Sequence, residues 1–299
     1  MSVARPPLTL PAPESIQERP AWQRNWYRFS RNPSAVIGAV LVVLVVICAL
    51  FAPYIAPFPE HADAFVDFRN RHQPPSTAHW FGTDNVGRDV LSRVLFGYRI
   101  SLLLVLFVLG LSVPFGVVLG LVAGYVGGWL ELVIMRITDI FLAIPPLVMA
   151  LAITAALSPT LVNAMIAISV LWWNWHTRLV YGIVRSLKTE EYIDACRVIG
   201  ASRWHILFRE LLPNCMSAVL VKTTLDAGFV ILIGASLSFL GIGAQPPTPD
   251  LGTMVADGAG YLPDMWWQSM FPGLAILVAI LGFNLLGDGL RDLYDVEVG

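Results

Sequence analysis

Apolar residues along this chain fall into long runs separated by polar passages, a pattern typical of a bundle of membrane-spanning helices. The first run, residues 35–52, is unbroken and about as long as a bilayer-crossing helix needs to be. Five further runs predict spans over residues 101–125, 128–157, 161–183, 217–240 and 270–286. The pattern therefore predicts an all-α membrane protein with six transmembrane helices.

The polar passages predict how the chain is divided. Residues 1–34 read as a tail that ends in a short surface helix, WQRNWYRFSRNPS, in which aromatic residues alternate with arginines. The membrane domain is expected over residues 35–295. It includes loops at 53–99 and 241–268 on one side of the membrane and the segment 189–213 on the other.

The 189–213 segment, TEEYIDACRVIGASRWHILFRELLP, is polar but carries the signals of two short helices. Thr189 is expected to cap the first helix and Gly200 to end it in the left-handed conformation. Ser202 is expected to cap the second helix, and Pro213 to end it. The predicted apolar stripes are Tyr192, Ile193, Cys196 and Ile199 in the first helix, and Trp204, Leu207, Phe208 and Leu211 in the second.

Composition agrees with a membrane protein. The chain is 56% hydrophobic and 13% charged with a mean hydropathy of +0.68, whereas soluble domains carry about 25% charged residues. The net charge of -2 gives no general attraction to nucleic acid. Three cysteines do not indicate a disulfide framework.

The distribution of basic residues predicts the orientation. The 1–34 tail contains five arginines, and the passage after the fourth run holds Arg185, Lys188, Arg197, Arg203 and Arg209, whereas 241–268 has no Lys or Arg. The 53–99 loop also has five arginines, but it is long and balanced by acids. By the positive-inside rule, both termini and the 189–213 segment are expected in the cytoplasm.

Four sequence blocks together resemble a known family. In that family a cytoplasmic loop reads Glu-Ala-Ala, three residues, Gly, nine residues, then Ile-x-Leu-Pro. Here the matching positions are Asp194-Ala195-Cys196, Gly200 and Glu210-Leu211-Leu212-Pro213, with Glu replaced by Asp, the second Ala by Cys and Ile by Glu. The other blocks are FGTDNVGRDVLSRVLFGYRISL, GYVGGWLELVIMRITD and SFLGIGAQPPTPDLGTM followed by FPGLAI and FNLLGDGLRD. The chain resembles the second permease subunit of ABC importers of the dipeptide, oligopeptide and nickel group.

The resemblance implies the type I ABC importer permease fold, with cytoplasmic coupling helices, in the bacterial inner membrane. It implies four partner subunits: a homologous permease, two ATP-binding subunits, and an extracytoplasmic substrate-binding protein. It also implies that the 189–213 segment docks on an ATP-binding subunit. The candidate docking residues are Tyr192, Asp194, Ala195, Cys196, Arg197, Gly200, Ala201, Ser202 and Trp204.

The residues support an external ATPase independently. A P-loop needs a Gly-Lys pair, and the only lysines, Lys188 and Lys222, follow Leu187 and Val221. We therefore expect this chain to bind no cofactor, with ATP and Mg²⁺ on the partner ATPases. The chain itself is not expected to be an enzyme, and no catalytic constellation is visible.

Charged and aromatic residues inside the apolar runs provide further candidates. Arg136 and Asp139 are spaced to form a structural ion pair on one helix face, with an ion relay as the alternative. Lys222 and Asp226, at i and i+4, are candidates for the translocation path, with a buried structural pair as the alternative. A packing role is favoured over a ligand cage for Trp172, Trp173, Trp175 and His176. The five histidines show no metal-site spacing.

Two questions stay open on sequence alone. The cargo could be dipeptides or longer peptides, with nickel chelates, opines or glutathione as alternatives within the same machinery. A different class, an ion-coupled secondary transporter or channel, would need a conducting path without an ATPase partner, and an exporter is a lesser alternative.

Overall fold

A computed structural model describes residues 21–294, so the predicted tail over 1–20 and the last residue of the predicted membrane domain, Asp295, lie outside the described residues. The described residues form helices and no extended β-strand. The helices, in chain order, are α1 (Ala21–Arg31), α2 (Pro33–Ile55), α3 (Val90–Val126), α4 (Gly128–Ala143), α5 (Pro146–Leu157), α6 (Leu161–Leu187), α7 (Glu191–Val198), α8 (Arg203–His205), α9 (Leu212–Phe239), α10 (Leu251–Ala259) and α11 (Trp267–Tyr294). Short 3₁₀ turns lie at Pro59–Ala62 and Phe68–Asn70, and a π-helical turn, Ile206–Leu211, joins α8 to α9.

Within residues 21–294, four helices are long and apolar enough to cross a membrane: α2, α3, the continuous helix Arg203–Phe239, and α11. A fifth span results if α4 and α5 count together. The fourth predicted span, residues 161–183, corresponds to α6, which has sufficient length but carries Asn174, His176 and Arg178 in its interior. The all-α fold is confirmed, whereas length and composition support four or five of the six predicted spans.

Several predicted boundaries were wrong, for local reasons. The loop predicted over 53–99 ends at Asp89, whose carboxylate accepts a hydrogen bond from Ser92 N–H at 2.7 Å and caps α3. The third predicted span is bent by 91° between α4 and α5, at Pro145 and Pro146, because proline disfavours a helical residue before it. The loop predicted over 241–268 contains α10, which Asp250 caps through Gly252 N–H at 3.0 Å.

Among the described helices, α3 and α6 share the most extensive packing. Three glycines one turn apart on α3, Gly116, Gly120 and Gly124, face α6, so that the two backbones approach closely. A Cβ added at Gly120 would lie 2.7 Å from Thr177 O, and one at Gly124 would lie 2.8 Å from Val184 Cβ. These distances leave no room for a side chain.

The polar loops at one end of the bundle form a single layer. Asp84 accepts a hydrogen bond from the Arg88 guanidinium at 2.6 Å and lies 3.8 Å from Arg93. The buried guanidinium of Arg93 donates to the carbonyl of Pro247, in the second loop, at 3.4 Å. Trp267 Nε1–H donates to Thr83 O at 3.2 Å, which ties the start of α11 to the same layer.

His61 holds the first loop against the start of α3. Its Nδ1 accepts a hydrogen bond from Asp89 N–H at 2.8 Å, an arrangement that requires this nitrogen to be unprotonated. The ring lies between Phe58 and Phe65 at centroid distances of 4.9 and 3.9 Å. Burial lowers the pKa of His61, against the opposing effect of nearby acids such as Glu60.

We expect Gly120→Val to destabilise the bundle by roughly 1–3 kcal/mol, because the added atoms overlap the backbone of α6. The measurement is the unfolding temperature of the detergent-solubilised protein. Gly110→Val is the matched control, because Gly110 lies on the same helix with no heavy atom within 4 Å of an added Cβ. Equal unfolding temperatures for the two variants would contradict the close-packing account.

We expect the loop layer to lose stability on acidification. The folded-state pKa of His61 lies below its unfolded value, so the unfolded loop binds more protons and stability falls as pH drops through about 6.5. Amide hydrogen exchange over residues 56–89, corrected for intrinsic rates, should accelerate between pH 7.5 and 5.5. In His61→Asn, whose side-chain oxygen can still accept from Asp89 N–H, this acceleration should diminish.

Candidate functional site

The 189–213 segment is anchored by apolar side chains from both of its helical parts. Ile193 of α7, together with Ile206 and Leu211 of the π-helical turn, is fully or almost fully buried. These side chains belong to one cluster with Leu121 of α3 and Val184 of α6. The segment therefore rests directly on the close α3–α6 pair.

A Schellman turn separates the two helical parts. Gly200 has φ +81°, and its N–H donates to Arg197 O at 3.1 Å, while Ala201 N–H donates to Cys196 O at 3.0 Å. Ser202 Oγ then accepts from His205 N–H at 3.2 Å. The predicted stop at Gly200 and cap at Ser202 are confirmed.

The predicted cap at Thr189 was wrong. The N-cap residue of α7 is Glu190, and Thr189 Oγ1 donates instead to Ser186 O, at 2.8 Å, in the last turn of α6. The threonine hydroxyl thus satisfies a carbonyl at the end of one helix rather than an N–H at the start of the next.

The tip of the segment exposes large apolar side chains. Val198 is 87% exposed, Ile199 80% and Trp204 67%, and the Trp204 ring stacks on Phe208 at a centroid distance of 5.6 Å. The predicted stripes are thus divided, since Ile193, Leu207 and Leu211 are buried whereas Ile199, Trp204 and Phe208 face outward. The sequence analysis did not identify Val198 as a docking residue. The signal available for it was that Val198 is apolar but lies outside the predicted helical stripe.

Polar groups surround this apolar tip. Asp194 and Arg197 form an ion pair of 2.7 Å on the exposed side of α7. Ala195 and Ser202 are exposed, while Cys196 and Ala201 are half-buried. The pKa of Tyr192 is raised by burial and by the negative charge of Glu210 and Glu190, so the phenol stays protonated at neutral pH. All the candidate docking residues therefore belong to one protrusion.

The predicted end of the second helical part at Pro213 was wrong, because this part continues through Pro213 into α9. Proline has no N–H and would clash with the carbonyl four residues earlier. The π-helical turn avoids this conflict, because Leu212 N–H donates to Leu207 O, five residues back. The Glu210 carbonyl accepts from the Asn214 side chain at 2.6 Å.

The predicted pair of Arg136 with Asp139 was wrong. Asp139 of α4 instead forms an ion pair with Arg178 of α6. A cavity of about 520 Å³ beside this pair is lined by Arg136, and also by Glu131 and Arg185. Within the described residues, Arg136 forms no ion pair with an acidic side chain.

Lys222 and Asp226 do pair as their spacing predicted. Lys222 Nζ lies 2.6 Å from Asp226 Oδ1 and 5.5 Å from the centroid of the Trp175 ring. Asp226 is buried, and its other oxygen lies 3.7 Å from Nε2 of the buried His176. Trp172 and Trp173 are buried in the bundle, whereas Trp175 is partly exposed beside Lys222.

The described residues contain no group of three or more His, Cys, Asp and Glu side chains that could hold a metal ion. The geometry is that of a helix bundle with an apolar protrusion at one end and paired charges within it.

Comparisons with known proteins agree with this architecture. Residues 116–298 match the family model of the binding-protein-dependent transport system inner membrane component. Residues 21–75 match the N-terminal TM domain of oligopeptide transport permease C.

Similar curated proteins cover nearly the whole chain. A probable D,D-dipeptide transport system permease of Escherichia coli K12 is 44% identical over 90% of this chain and 89% of its own length. A dipeptide transport system permease of Haemophilus influenzae is 39% identical over 98% of both chains. A glutathione transport system permease of Pectobacterium atrosepticum is 39% identical over 97% of this chain and 96% of its own.

The family model matches more than half of the chain, and the relatives align with almost all of it. This multi-pass membrane protein belongs to the family of binding-protein-dependent transport system inner membrane components, the permease subunits of ABC importers.

Proposed function

We propose that this chain is one of two permease subunits of an ABC importer for di- or oligopeptides. The observation that carries the proposal is the apolar tip of the 189–213 segment, which is held rigidly on the α3–α6 pair yet exposes Val198, Ile199 and Trp204. The names of relatives that are 39–44% identical support peptides as the cargo.

The tip suits docking into a cleft of an ATP-binding subunit. Complete burial of an exposed valine, isoleucine or tryptophan contributes about 1.5–3 kcal/mol per side chain, so that three such residues make an effective anchor. The Asp194–Arg197 pair beside them supplies polar contacts at the edge. Closure of two ATP-binding subunits around ATP would then move the segment and, through it, the helices on which it rests.

The assembly proposed around this chain contains a homologous permease, two ATP-binding subunits and an extracytoplasmic binding protein. ATP and Mg²⁺ bind to the ATPases, and the translocation path lies between the two permeases. We infer six spans, formed by α2, α3, α4 with α5, α6, α9 and α11, with both termini and the 189–213 segment on the cytoplasmic side, where the basic residues are concentrated. The loops at 53–99 and 241–268 face the binding protein.

Glutathione is the second candidate cargo, because glutathione permeases are about as similar to this chain as one of the dipeptide permeases is. Nickel chelates and opines remain the further alternatives within the same machinery. Ligand binding to the cognate binding protein, measured by calorimetry with dipeptides, longer peptides and glutathione, distinguishes these cargoes.

We expect Gly200→Pro to abolish ATP-driven uptake, because proline cannot adopt φ +81° or keep the N–H bond to Arg197 O. The assay is peptide uptake together with co-purification of the ATP-binding subunits. Gly241→Pro is the matched control for co-purification of the ATP-binding subunits, which it should leave intact, since Gly241 has φ +77° and its N–H donates to Ser238 O at 3.0 Å, at the other end of α9. A Gly200→Pro complex that retains both uptake and its ATPases would contradict docking through this segment.

We expect Asp194→Lys to reduce ATPase co-purification at least about tenfold, because the proposed charge-assisted contact between Asp194 and the ATP-binding subunit is replaced by repulsion. The double variant Asp194→Lys with Arg197→Glu restores an ion pair within α7 but exchanges its ends. Docking by this face predicts that the double variant stays defective. Full recovery of uptake would show that the pair serves only the helix itself.

A further inference from the structure

A cavity between α4, α6 and α9 places two ion pairs side by side. Its volume is about 680 Å³, within the range of small-molecule sites, and Asp139, Trp175, Arg178 and Lys222 are among the residues that line it. Asp226 lies behind Lys222, buried, and holds its ammonium group at 2.6 Å. The two pairs come from three helices and open into one space.

Lys222 and Arg178 lie well inside the length of their helices. Lys222 is ten residues beyond Leu212, where α9 begins, and Arg178 is ten residues before Lys188, which caps α6. At 1.5 Å per residue both lie about 15 Å along the helix axis from those two residues, a distance of about half the thickness of a bilayer core. Charges at this depth face protein or water rather than lipid.

The ion pair between Asp139 and Arg178 is solvent-exposed, so each side chain can readily exchange its partner for a charged group of a ligand. The Arg178 side chain is 54% exposed and that of Asp139 43%, and a solvated ion pair contributes little to stability. Lys222, by contrast, is held by the buried Asp226 and extends over the Trp175 ring. The cavity therefore offers two cations, one accessible anion and an aromatic surface.

We propose that this cavity binds the charged termini of a small zwitterionic peptide during its passage. Arg178 and Lys222 take the carboxylate, for which the guanidinium offers a bidentate donor pair, and Asp139 takes the ammonium group. Trp175 provides an apolar contact for a side chain. This inference rests on the peptide cargo proposed above and adds the groups that the permease itself recognises.

The test uses the full complex, with binding protein, in proteoliposomes, and measures dipeptide uptake and binding-protein-stimulated ATPase activity together. Lys222→Met should lower uptake about tenfold or more, because a charged hydrogen bond to the carboxylate is lost. Lys222→Arg should retain most uptake, since it keeps the positive charge.

A double variant separates recognition from structure. Lys222→Met alone leaves the buried carboxylate of Asp226 without its partner and destabilises the fold, whereas Lys222→Met with Asp226→Asn removes both charges and keeps a polar side chain beside His176. If the pair binds peptide, the double variant assembles, hydrolyses ATP on stimulation, and still takes up about tenfold less dipeptide. Near wild-type uptake by the double variant would overturn the proposal.

Arg178→Gln has a matched control in Arg185→Gln. Both arginines are exposed on α6, and each lies near an acid of α4, with Arg185 4.0 Å from Glu131, but only Arg178 lines the cavity. Arg178→Gln should lower uptake about tenfold or more with ATPase stimulation retained, and Arg185→Gln should not. Equal losses in both variants would overturn the proposal.

The outcomes also distinguish this inference from the proposed function. A wild-type complex that takes up no zwitterionic peptide contradicts both. Normal dipeptide uptake by wild type, by the double variant and by Arg178→Gln contradicts the cavity site alone and leaves the peptide importer intact.

Discussion

The close approach of α3 and α6 is the constraint on which the rest of the structure depends. Gly116, Gly120 and Gly124 bring the two backbones together, and the groove that this creates receives Ile193 and Ile206. In a bilayer, where lipid tails are as apolar as leucine, such backbone proximity provides dispersion contacts that hydrophobic burial alone does not supply. The protrusion at one end thus inherits its rigidity from the helix pair beneath it.

Four charged groups of the bundle are arranged as two ion pairs. Asp139 pairs with Arg178, and Lys222 pairs with Asp226, which in turn lies near His176. These arrangements cost desolvation energy that apolar residues would not. Their presence on a face shared by three helices is what gives that face a chemical character distinct from the lipid-facing surfaces.

The features predictable from the sequence were those set by neighbours along the chain. The apolar runs, the stop at Gly200, the cap at Ser202 and the pairing of Lys222 with Asp226 all depend on separations of four residues or fewer, or on continuous composition. The partner of Asp139 could not be predicted, because Arg178 lies on another helix and tertiary packing chose it over Arg136. The outward direction of Trp204 was equally inaccessible, since helical periodicity identifies a stripe but not which parts of it find neighbours. The helix end predicted at Pro213 was wrong because a π-helical turn removes the clash between a proline ring and the carbonyl four residues earlier. Such a turn has no clear sequence signal.

The unbroken helix Arg203–Phe239 has a mechanical consequence. At 1.5 Å per residue its 37 residues extend about 55 Å, with Trp204 near one end and Ser238 near the other. No flexible linker interrupts it, so it acts as a lever whose fulcrum is the buried cluster around Leu211 and Cys215. A small rotation of the short arm, which carries Trp204, sweeps the long arm through a larger arc, with Lys222 part of the way along and the far loop layer at its end. A rigid helix of this length would convert a small displacement near Trp204 into a larger one at its far end.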